Sequence, residues 1–404
     1  MKPTRIQKAI AQRQEQGLPI TNLSFADFTF YDTPLGNRKI QNSFINIFKY
    51  PYYYPAARGE QEALQAVSDY YRRLGQEVDP GSLMLTSSIN QSYLYLLKIF
   101  SADSGEVIVP VPHSPSLNEV ADFLGVALKE VPLSAEAGWQ LDLEALESRL
   151  TGQTRAVFLM SPHLPTGAIQ KAETLQKLLK LIKDKNITLV MDESLADFIY
   201  TEEKLPVITE LSAAKQLVIT LQSLTNSFAL PGLKLSWLQV SGPAEKAENL
   251  LQSLEFLNDT FLTVNQLSQT VLPEIVRYSR KFRKKFQKTV EKNRHILVGK
   301  LSKSPRLKFH FPEGGFYAFV EVLPADSSAP ESSNSSGKTP LKEQSFAGDE
   351  DFVVRLLEKT GIYVHPGNFY RQQNRCYFMI CFLQAPGVLR TSLKKIIKFL
   401  KPSK

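Results

Sequence analysis

Polar residues follow two apolar runs of the sequence and could bind a ligand there. Ser87 and Ser88 separate a strand-like run at residues 84–86 from a helical pattern. The start of a helix offers free backbone N–H groups and a positive dipole end, so this turn could hold a phosphate group. Asp192 follows a second strand-like run, at residues 187–191. It could simply cap the next turn, but in a dry pocket its carboxylate would need a partner or a raised pKa.

The elements that would position these residues follow a regular alternation. Short apolar runs alternate with helical patterns between about residues 80 and 240, which is typical of an α/β fold with a mostly parallel, doubly wound sheet. A chain of 404 residues is long enough for two domains. We expect an N-terminal arm at residues 1–45 that joins the small domain, a large domain at 46–275 and a smaller α+β domain at 276–404. Within the small domain, about residues 324–349 are rich in Ser, Asn, Gly and Pro and predict a flexible surface insertion.

Seven short motifs occur in series along the chain. They are Gly59, Pro112, Pro165-Thr166-Gly167, Asp192-Glu193, Pro231-Gly232, Gly314-Gly315 and Pro366-Gly367. In order and spacing they resemble the class I/II aminotransferases, enzymes that use pyridoxal phosphate (PLP), over about residues 20–400. The most recognisable part is residues 223–237, which follow a strand-like run at residues 216–221. The resemblance implies fold type I of the PLP-dependent enzymes and a homodimer with both active sites at the subunit interface.

Five positions are remnants of the cofactor site that the resemblance implies. Asp192 would meet the pyridinium nitrogen of PLP, and Tyr54 would reach the phosphate of the partner subunit. Ser223 belongs to the cofactor-anchoring segment, in which Lys234 stands where the family has a phosphate-binding arginine. Ser88 opens the phosphate-binding helix where the family usually has glycine, and a side chain there limits how closely the backbone approaches an anion.

Five other positions lack the residue that the family uses. Asn226 stands at the Schiff-base lysine, Ser114 at the aromatic that stacks on the pyridine ring, and Met379 at the arginine that clamps the substrate carboxylate. Leu164 and Leu195 stand at the two partners of the phenolic oxygen of PLP, to which leucine cannot hydrogen-bond. Because a carboxamide has no basic amine, Asn226 can neither hold PLP as a Schiff base nor shuttle a proton.

We therefore expect an aminotransferase-like pseudoenzyme that has lost PLP-dependent transamination and binds a small molecule or a protein. No residue is assigned as catalytic. We expect no covalently bound cofactor, and we give less weight to PLP or pyridoxamine phosphate held non-covalently. Ser114, His163, Leu164, Leu195 and Met379 would line the substrate cleft, and we expect no metal site.

Two alternatives remain open. The cleft could be rebuilt for a different, lysine-independent reaction on an amino-acid-like substrate, with a nucleophile and a base drawn from polar residues near its mouth: His113, Ser114, Ser161 and His163. Alternatively, a divergent PLP-dependent aminotransferase could use the amine of Lys234, although in the family that position meets the phosphate.

The amino-acid composition and the cysteines give an expectation for the cellular location of the protein. Hydrophobic residues make up 43% and charged residues 22% of the chain, as in ordinary globular proteins. The N-terminus is polar, and no run approaches the roughly 18 apolar residues of a membrane span. Cys376 and Cys381 would lie on opposite faces of one strand, so a disulfide is not expected. These features predict a cytoplasmic protein with no membrane span.

The positive charge is concentrated in one segment. The net charge is +8, whereas residues 277–308 contain thirteen Lys and Arg and a single acid, Glu291, which gives this segment +12. Apolar residues at intervals of three to seven predict one long amphipathic helix over residues 272–301. Such a surface could attract a polyanion or a membrane, but we favour a solvated helix face and expect no nucleic-acid partner. The sequence does not identify a small-molecule ligand.

Overall fold

The computed structural model describes residues 3–49, 55–202, 205–213, 215–324, 346–373 and 375–401. Tyr54 and most of the predicted insertion at residues 324–349 lie outside the described residues.

Helices and strands alternate through most of the described chain. The α-helices are α1 (Arg5–Glu15), α2 (Arg38–Lys49), α3 (Gln61–Arg72), α4 (Ile89–Phe100), α5 (Pro115–Leu124), α6 (Leu143–Glu147), α7 (Ala172–Ile182), α8 (Ile208–Ser212), α9 (Leu224–Phe228), α10 (Ala244–Phe261), α11 (Gln266–Tyr278), α12 (Arg280–Leu301), α13 (Asp349–Thr360) and α14 (Pro386–Phe399). The strands are β1 (Thr21–Asn22), β2 (Leu83–Thr86), β3 (Glu106–Val111), β4 (Leu128–Ser134), β5 (Gln140–Leu141), β6 (Thr154–Met160), β7 (Thr188–Asp192), β8 (Val218–Ser223), β9 (Ser236–Ser241), β10 (Leu307–Phe309), β11 (Tyr317–Val322), β12 (Ile362–Tyr363), β13 (His365–Pro366) and β14 (Tyr377–Cys381).

An eight-stranded sheet forms the centre of the molecule, in the order β2-β9-β8-β7-β6-β3-β4-β5. The strands from β8 to β4 in this order run parallel to their neighbours, whereas β9 is antiparallel to both β8 and β2. Every residue of β7 and β8 is buried, which explains why these segments read as continuous apolar runs and not as alternating patterns. The prediction of an α/β fold with a mostly parallel sheet is confirmed.

A smaller sheet of the C-terminal half is antiparallel, in the order β10-β11-β14-β13. The helices α12, α13 and α14 pack with it around a core that includes Phe286, Phe319, Phe352 and Phe378. Strand β1 pairs in parallel with β12, so the N-terminal segment contacts this C-terminal part of the chain. Cys381 is buried and Cys376 is half-buried, and both are free thiols.

Two predictions about helices are wrong. Residues 272–301 do not form one helix, because Ser279 interrupts the chain between α11 and α12 and its hydroxyl donates to the Ile275 carbonyl at 2.5 Å. Residues 20–45, whose short apolar runs predict an extended arm, also include part of a helix, since α2 begins at Arg38. Ile40 of α2 is fully buried in a cluster that contains Val271 of α11, and this packing favours the helix.

The outer face of α12 is basic and its inner face is apolar. Phe286, Val290 and Leu297 are buried, while Lys284, Lys288 and other cations of the helix are exposed. No helix in the described ranges combines the length and the apolar character that crossing a membrane requires.

Candidate functional site

A small cavity lies at the carboxyl ends of β3, β6 and β7, with about 20 Å³ that a water-sized molecule could occupy, and we call it the Asp192 cavity. Its lining residues are Tyr93, Pro110, His113, Ser114, Leu117, Phe158, Leu159, Met160, His163, Leu164, Val190 and Asp192. The carboxyl edge of a parallel sheet is the usual place for a ligand in this class of fold, although this cavity has room for about one water molecule. Most of the lining is apolar.

Asp192 is the last residue of β7 and is buried. The Tyr93 hydroxyl donates to its Oδ2, and the Ser194 backbone N–H donates to its Oδ1 at 2.8 Å. Burial raises the pKa of the Asp192 carboxyl, and the two hydrogen bonds oppose that shift; no described cation acts on it. The carboxylate therefore has hydrogen-bond donors but no counter-ion within the described chain.

Two histidines line the cavity, and one ring nitrogen of each forms no hydrogen bond with a described residue. His113 Nδ1 is 3.1 Å from the Ser114 carbonyl oxygen, and His163 Nδ1 is 2.8 Å from the Thr166 hydroxyl. The Nε2 atoms of both rings are buried and have no hydrogen-bond partner among the described residues, although the Pro112 carbonyl is near enough to act on the His163 pKa. Burial lowers the pKa of both side chains, that of His163 to about 3. Both imidazoles are therefore neutral at pH 7.

The predicted phosphate turn is capped by its own side chains. Ser88 is the N-cap of α4, and its Oγ accepts a hydrogen bond from the Gln91 N–H at 3.2 Å. The Gln91 side chain in turn accepts from the Ser87 N–H at 2.5 Å. This reciprocal cap already satisfies two of the N–H groups at the turn. A phosphate group at this turn would have to bind beside this cap or displace it.

Asn226 lies on α9, directly after β8. Its Nδ2 donates to the Ser194 carbonyl oxygen at 3.0 Å, which ties α9 to the turn after β7. Ser223 caps α9, because its Oγ accepts from the Thr225 N–H at 3.2 Å. Neither Asn226 nor Ser223 lines the cavity. Both side chains therefore stabilise the local structure around α9 through hydrogen bonds.

The other predicted site residues lie in the cavity lining, in the protein interior or at the surface. Ser114, His163 and Leu164 line the cavity, as does Asp192. The structure does not bring three predicted residues to the cavity. Leu195 is 1% exposed, Met379 is 1% exposed within β14, and Lys234 is exposed with a left-handed φ of 49°.

Two arginines of the C-terminal half form ion pairs outside the cavity. Arg371 Nε lies 2.7 Å from Glu130, and the Arg371 and Glu130 charges shift the pKa of His113 in opposite directions. Arg375 contacts Glu136 at 3.3 Å and Glu321 at 3.7 Å. Neither arginine lines the cavity.

Sequence reasoning missed Tyr93, the hydrogen-bond partner of Asp192. A signal was available, because Tyr93 lies about one turn into the helix whose start had been identified as a ligand site. Leu117 and Phe158 were also missed, since an apolar lining residue looks like any core residue in a sequence. Within the described residues, no cluster of His, Cys, Asp and Glu side chains could hold a metal ion.

Comparison with known proteins identifies a large family. Residues 40–392 match the family described as aminotransferase class I and II. The chain is 27% identical over 342 residues to the probable aspartate/prephenate aminotransferase of Aquifex aeolicus, covering 84% of this chain and 78% of the relative. It is 25% identical over 393 residues to the arginine–pyruvate transaminase of Pseudomonas aeruginosa, covering 95% and 91%.

Solved structures share the fold. The alanine aminotransferase from Pyrococcus furiosus superposes with a TM-score of 0.85 at 19% identity, with 99% of both chains covered. The aspartate aminotransferase from Thermotoga maritima superposes with a TM-score of 0.82 at 20% identity, covering 99% of this chain and 97% of the other. These matches confirm the prediction of fold type I.

The expectation of no covalently bound cofactor, with less weight given to PLP or pyridoxamine phosphate held non-covalently, was wrong, because these relatives point to PLP as the cofactor. The residues present fit PLP in part. The Asp192 carboxylate uses two of its roughly four lone-pair sites, which leaves capacity for a pyridinium N–H. Leu164, Leu195 and Asn226 lack the groups that would hold its phenolic oxygen and its aldehyde carbon. With the family match covering most of its length, the chain belongs to the class I/II aminotransferases.

Proposed function

We propose that this chain is a member of the class I/II aminotransferases that has lost lysine-dependent transamination and acts by binding a small molecule at the carboxyl edge of the sheet, beside Asp192. The observation that carries this proposal is the side chain at the Schiff-base position. Asn226 offers a carboxamide, and its Nδ2 is committed to the Ser194 carbonyl. A transaminase needs an amine there to hold the cofactor and to move the substrate proton, and a carboxamide does neither.

PLP, when bound, supplies an electron sink for bond cleavage next to an amino group. The residues of this chain would contribute binding and orientation. Asp192, in its buried position, would accept the pyridinium N–H and favour its protonated form. The start of α4 at Ser87 and Ser88, together with Ser223 and Lys234, remains our proposed phosphate side. The apolar wall formed by Leu117 and Phe158 would exclude water from the ring.

A rebuilt cleft with a nucleophile–base pair is the second candidate, and the local chemistry gives it little support. His163 has a pKa of about 3, so it is a weak base at neutral pH. The Ser161 hydroxyl accepts a hydrogen bond from the Gln170 N–H at 3.1 Å, which is a structural contact. An aminotransferase that uses Lys234 is supported even less, because that side chain is exposed and does not line the cavity.

The experiment is a steady-state assay of the full-length chain. The purified protein is incubated with PLP, a panel of amino-acid donors and 2-oxo-acid acceptors, and formation of the new amino acid is measured by chromatography. We expect no turnover above that of a PLP-only blank. Turnover that survives removal of free PLP by gel filtration would overturn the proposal.

We also propose a homodimer. Phe256, Phe261 and Leu262 at the end of α10 are 70%, 69% and 61% exposed, which is unusual for large apolar side chains so close together. The family resemblance suggests that a second copy of the chain covers these exposed side chains. Light scattering should give twice the monomer mass, and Phe261→Ser should shift the equilibrium toward monomer.

Three further predictions stay proposals. These are the division of the chain near residues 45 and 275, a cytoplasmic location, and the absence of a nucleic-acid partner for the basic segment 277–308.

A further inference from the structure

We propose that Tyr93 sets the affinity of this chain for its cofactor, because its hydroxyl occupies the carboxylate of Asp192 that the ring nitrogen of PLP would use. The inference rests on the proposed function, since it takes the carboxyl edge of the sheet beside Asp192 as the binding site. What it adds is a donor within the chain that a bound ring has to displace.

The Asp192 carboxylate is satisfied by two donors of its own chain. The Tyr93 hydroxyl donates to Oδ2, and the Ser194 backbone N–H donates to Oδ1 at 2.8 Å. The Ser194 N–H belongs to the turn that directly follows Asp192, whereas the Tyr93 hydroxyl is carried by a side chain of another element, α4. Of these two described donors, Tyr93 is therefore the one that a ligand can replace.

The space beside Asp192 is as restricted as its hydrogen bonding. Asp192 is 3% exposed, and the cavity that it lines has room for about one water molecule. A pyridine ring is several times larger, so its nitrogen reaches the free lone pairs of Asp192 only after a lining side chain has moved. Tyr93 is part of this lining and packs against Phe158, with 6.2 Å between the ring centroids. Movement of Tyr93 would free the carboxylate and open space at once.

The proton of this contact stays on Tyr93. Burial, and then the nearby Asp192, raise the pKa of the Tyr93 phenol well above its ordinary 10. At neutral pH the phenol is therefore the donor and the Asp192 carboxylate the acceptor. A protonated ring nitrogen would make the same kind of contact with Asp192, so binding exchanges one donor for another.

This exchange weakens cofactor binding by an amount that the Tyr93 contact sets. The apparent affinity of a ligand is reduced by the fraction of molecules in which its site is open. A hydrogen bond to a carboxylate is stronger than one between neutral groups, so the Tyr93–Asp192 contact keeps that fraction small. We therefore expect the cofactor to bind about tenfold more weakly than it would without the Tyr93 hydroxyl.

The test measures the binding of pyridoxamine phosphate by isothermal titration calorimetry to full-length protein dialysed free of cofactor. This compound has the ring and phosphate of PLP but no aldehyde, so it forms no Schiff base with surface lysines. Tyr93→Phe removes only the hydroxyl and should bind the compound about tenfold more tightly. Tyr31→Phe is the matched control, because it removes another buried hydroxyl, which donates to the Gln384 carbonyl at 3.3 Å. It should bind like the unaltered protein.

A second ligand separates competition for Asp192 from a general loosening of the structure. An analogue of pyridoxamine phosphate with C–H in place of the ring nitrogen cannot donate to Asp192. Tyr93→Phe should therefore leave the affinity for this analogue unchanged. In the unaltered protein the ring nitrogen has to displace Tyr93, so the two compounds should bind within about threefold of each other. This last comparison needs no variant and keeps the inference testable if Tyr93→Phe does not fold.

Four outcomes would overturn the inference. They are equal affinity of Tyr93→Phe and the unaltered protein for pyridoxamine phosphate, an equal gain for both compounds, a large preference of the unaltered protein for the ring nitrogen, and no binding to either protein at millimolar concentration. Equal affinity of the two proteins would defeat this inference and leave the proposed function standing. Turnover of amino acids would instead defeat the proposed function.

Discussion

The hydroxyl of Tyr93 on α4 donates a hydrogen bond to the carboxylate of Asp192 at the end of β7, and both side chains are buried. The contact gives a buried carboxylate a partner within the chain itself. It also raises the pKa of Tyr93, together with the larger effect of burial. The two side chains thereby form the polar wall of a cavity that is otherwise mostly apolar.

Removal of this hydroxyl tests how much the contact stabilises the fold. Tyr93→Phe leaves Asp192 with the Ser194 N–H as its described donor, so we expect the free energy of unfolding to fall by about 1–3 kcal/mol at pH 7. Urea denaturation measures the change. Tyr278→Phe, at a position 38% exposed, is the control and should alter stability little. Equal stability of Tyr93→Phe and the unaltered protein would show that the contact contributes nothing.

A second prediction concerns the pH dependence of stability. Burial and the neighbouring Asp192 raise the pKa of Glu193 from its ordinary 4.5 to about 8. Between these pH values the folded state keeps a proton that the unfolded state has released, so stability should fall as pH rises from about 4.5 to 8. The loss from this one group is on the order of a few kcal/mol.

Glu193→Gln should therefore flatten the decline in stability, and Glu147→Gln, at an exposed position, should not. The measurement is the free energy of unfolding at several pH values across this window. A Glu193→Gln profile as steep as that of the unaltered chain would rule out Glu193 as the source.

A lysine introduced at position 226 tests whether a single residue accounts for the loss of transamination that we propose. We expect Asn226→Lys to give little transaminase turnover, because Leu164, Leu195 and Met379 remain. The loss of the Asn226–Ser194 hydrogen bond should also cost about 1 kcal/mol of stability. Asn226→Ala is the matched control, because it removes the same hydrogen bond without supplying an amine. Robust turnover of the lysine variant would show that only the lysine had been lost.

The basic face of α12 gives a fourth prediction. If this face is only solvated, the protein should elute from heparin below physiological salt, and Lys284→Glu with Lys288→Glu should not change its behaviour in any binding assay with DNA or RNA. Tight, salt-dependent retention that these substitutions abolish would indicate a polyanion partner instead.

Apolar patterning was sufficient to predict much of the fold. The strands β3, β7 and β8 read as buried runs because both faces of a central parallel strand are covered, and no competing signal obscured them. The break at Ser279 was missed because serine is compatible with a helix. What separates α11 from α12 there is the local backbone, with ψ near 0°, and the hydroxyl bond to Ile275.

The site was less predictable than the fold. Asp192 was expected at the ligand because the resemblance assigns it to the pyridinium nitrogen of PLP, and the structure places it at the end of β7, in the lining of the cavity. Ser223 and Lys234 stay predictions for the phosphate side; Ser223 caps α9, and Lys234 is exposed with a left-handed φ of 49°. Such details depend on local backbone geometry that residue types do not determine. The carboxylate partner Tyr93 comes from a separate element, and only the packing of α4 against β7 brings the two together.

The central claim is that this member of the family no longer transaminates, and one half-reaction tests it most directly. The unaltered full-length chain is loaded with PLP, freed of excess cofactor, and mixed with high concentrations of single amino acids in a spectrophotometer. We predict that the cofactor absorbance stays unchanged and that no 2-oxo acid forms. Conversion of the bound cofactor to its amine form, with release of one equivalent of 2-oxo acid, would contradict it.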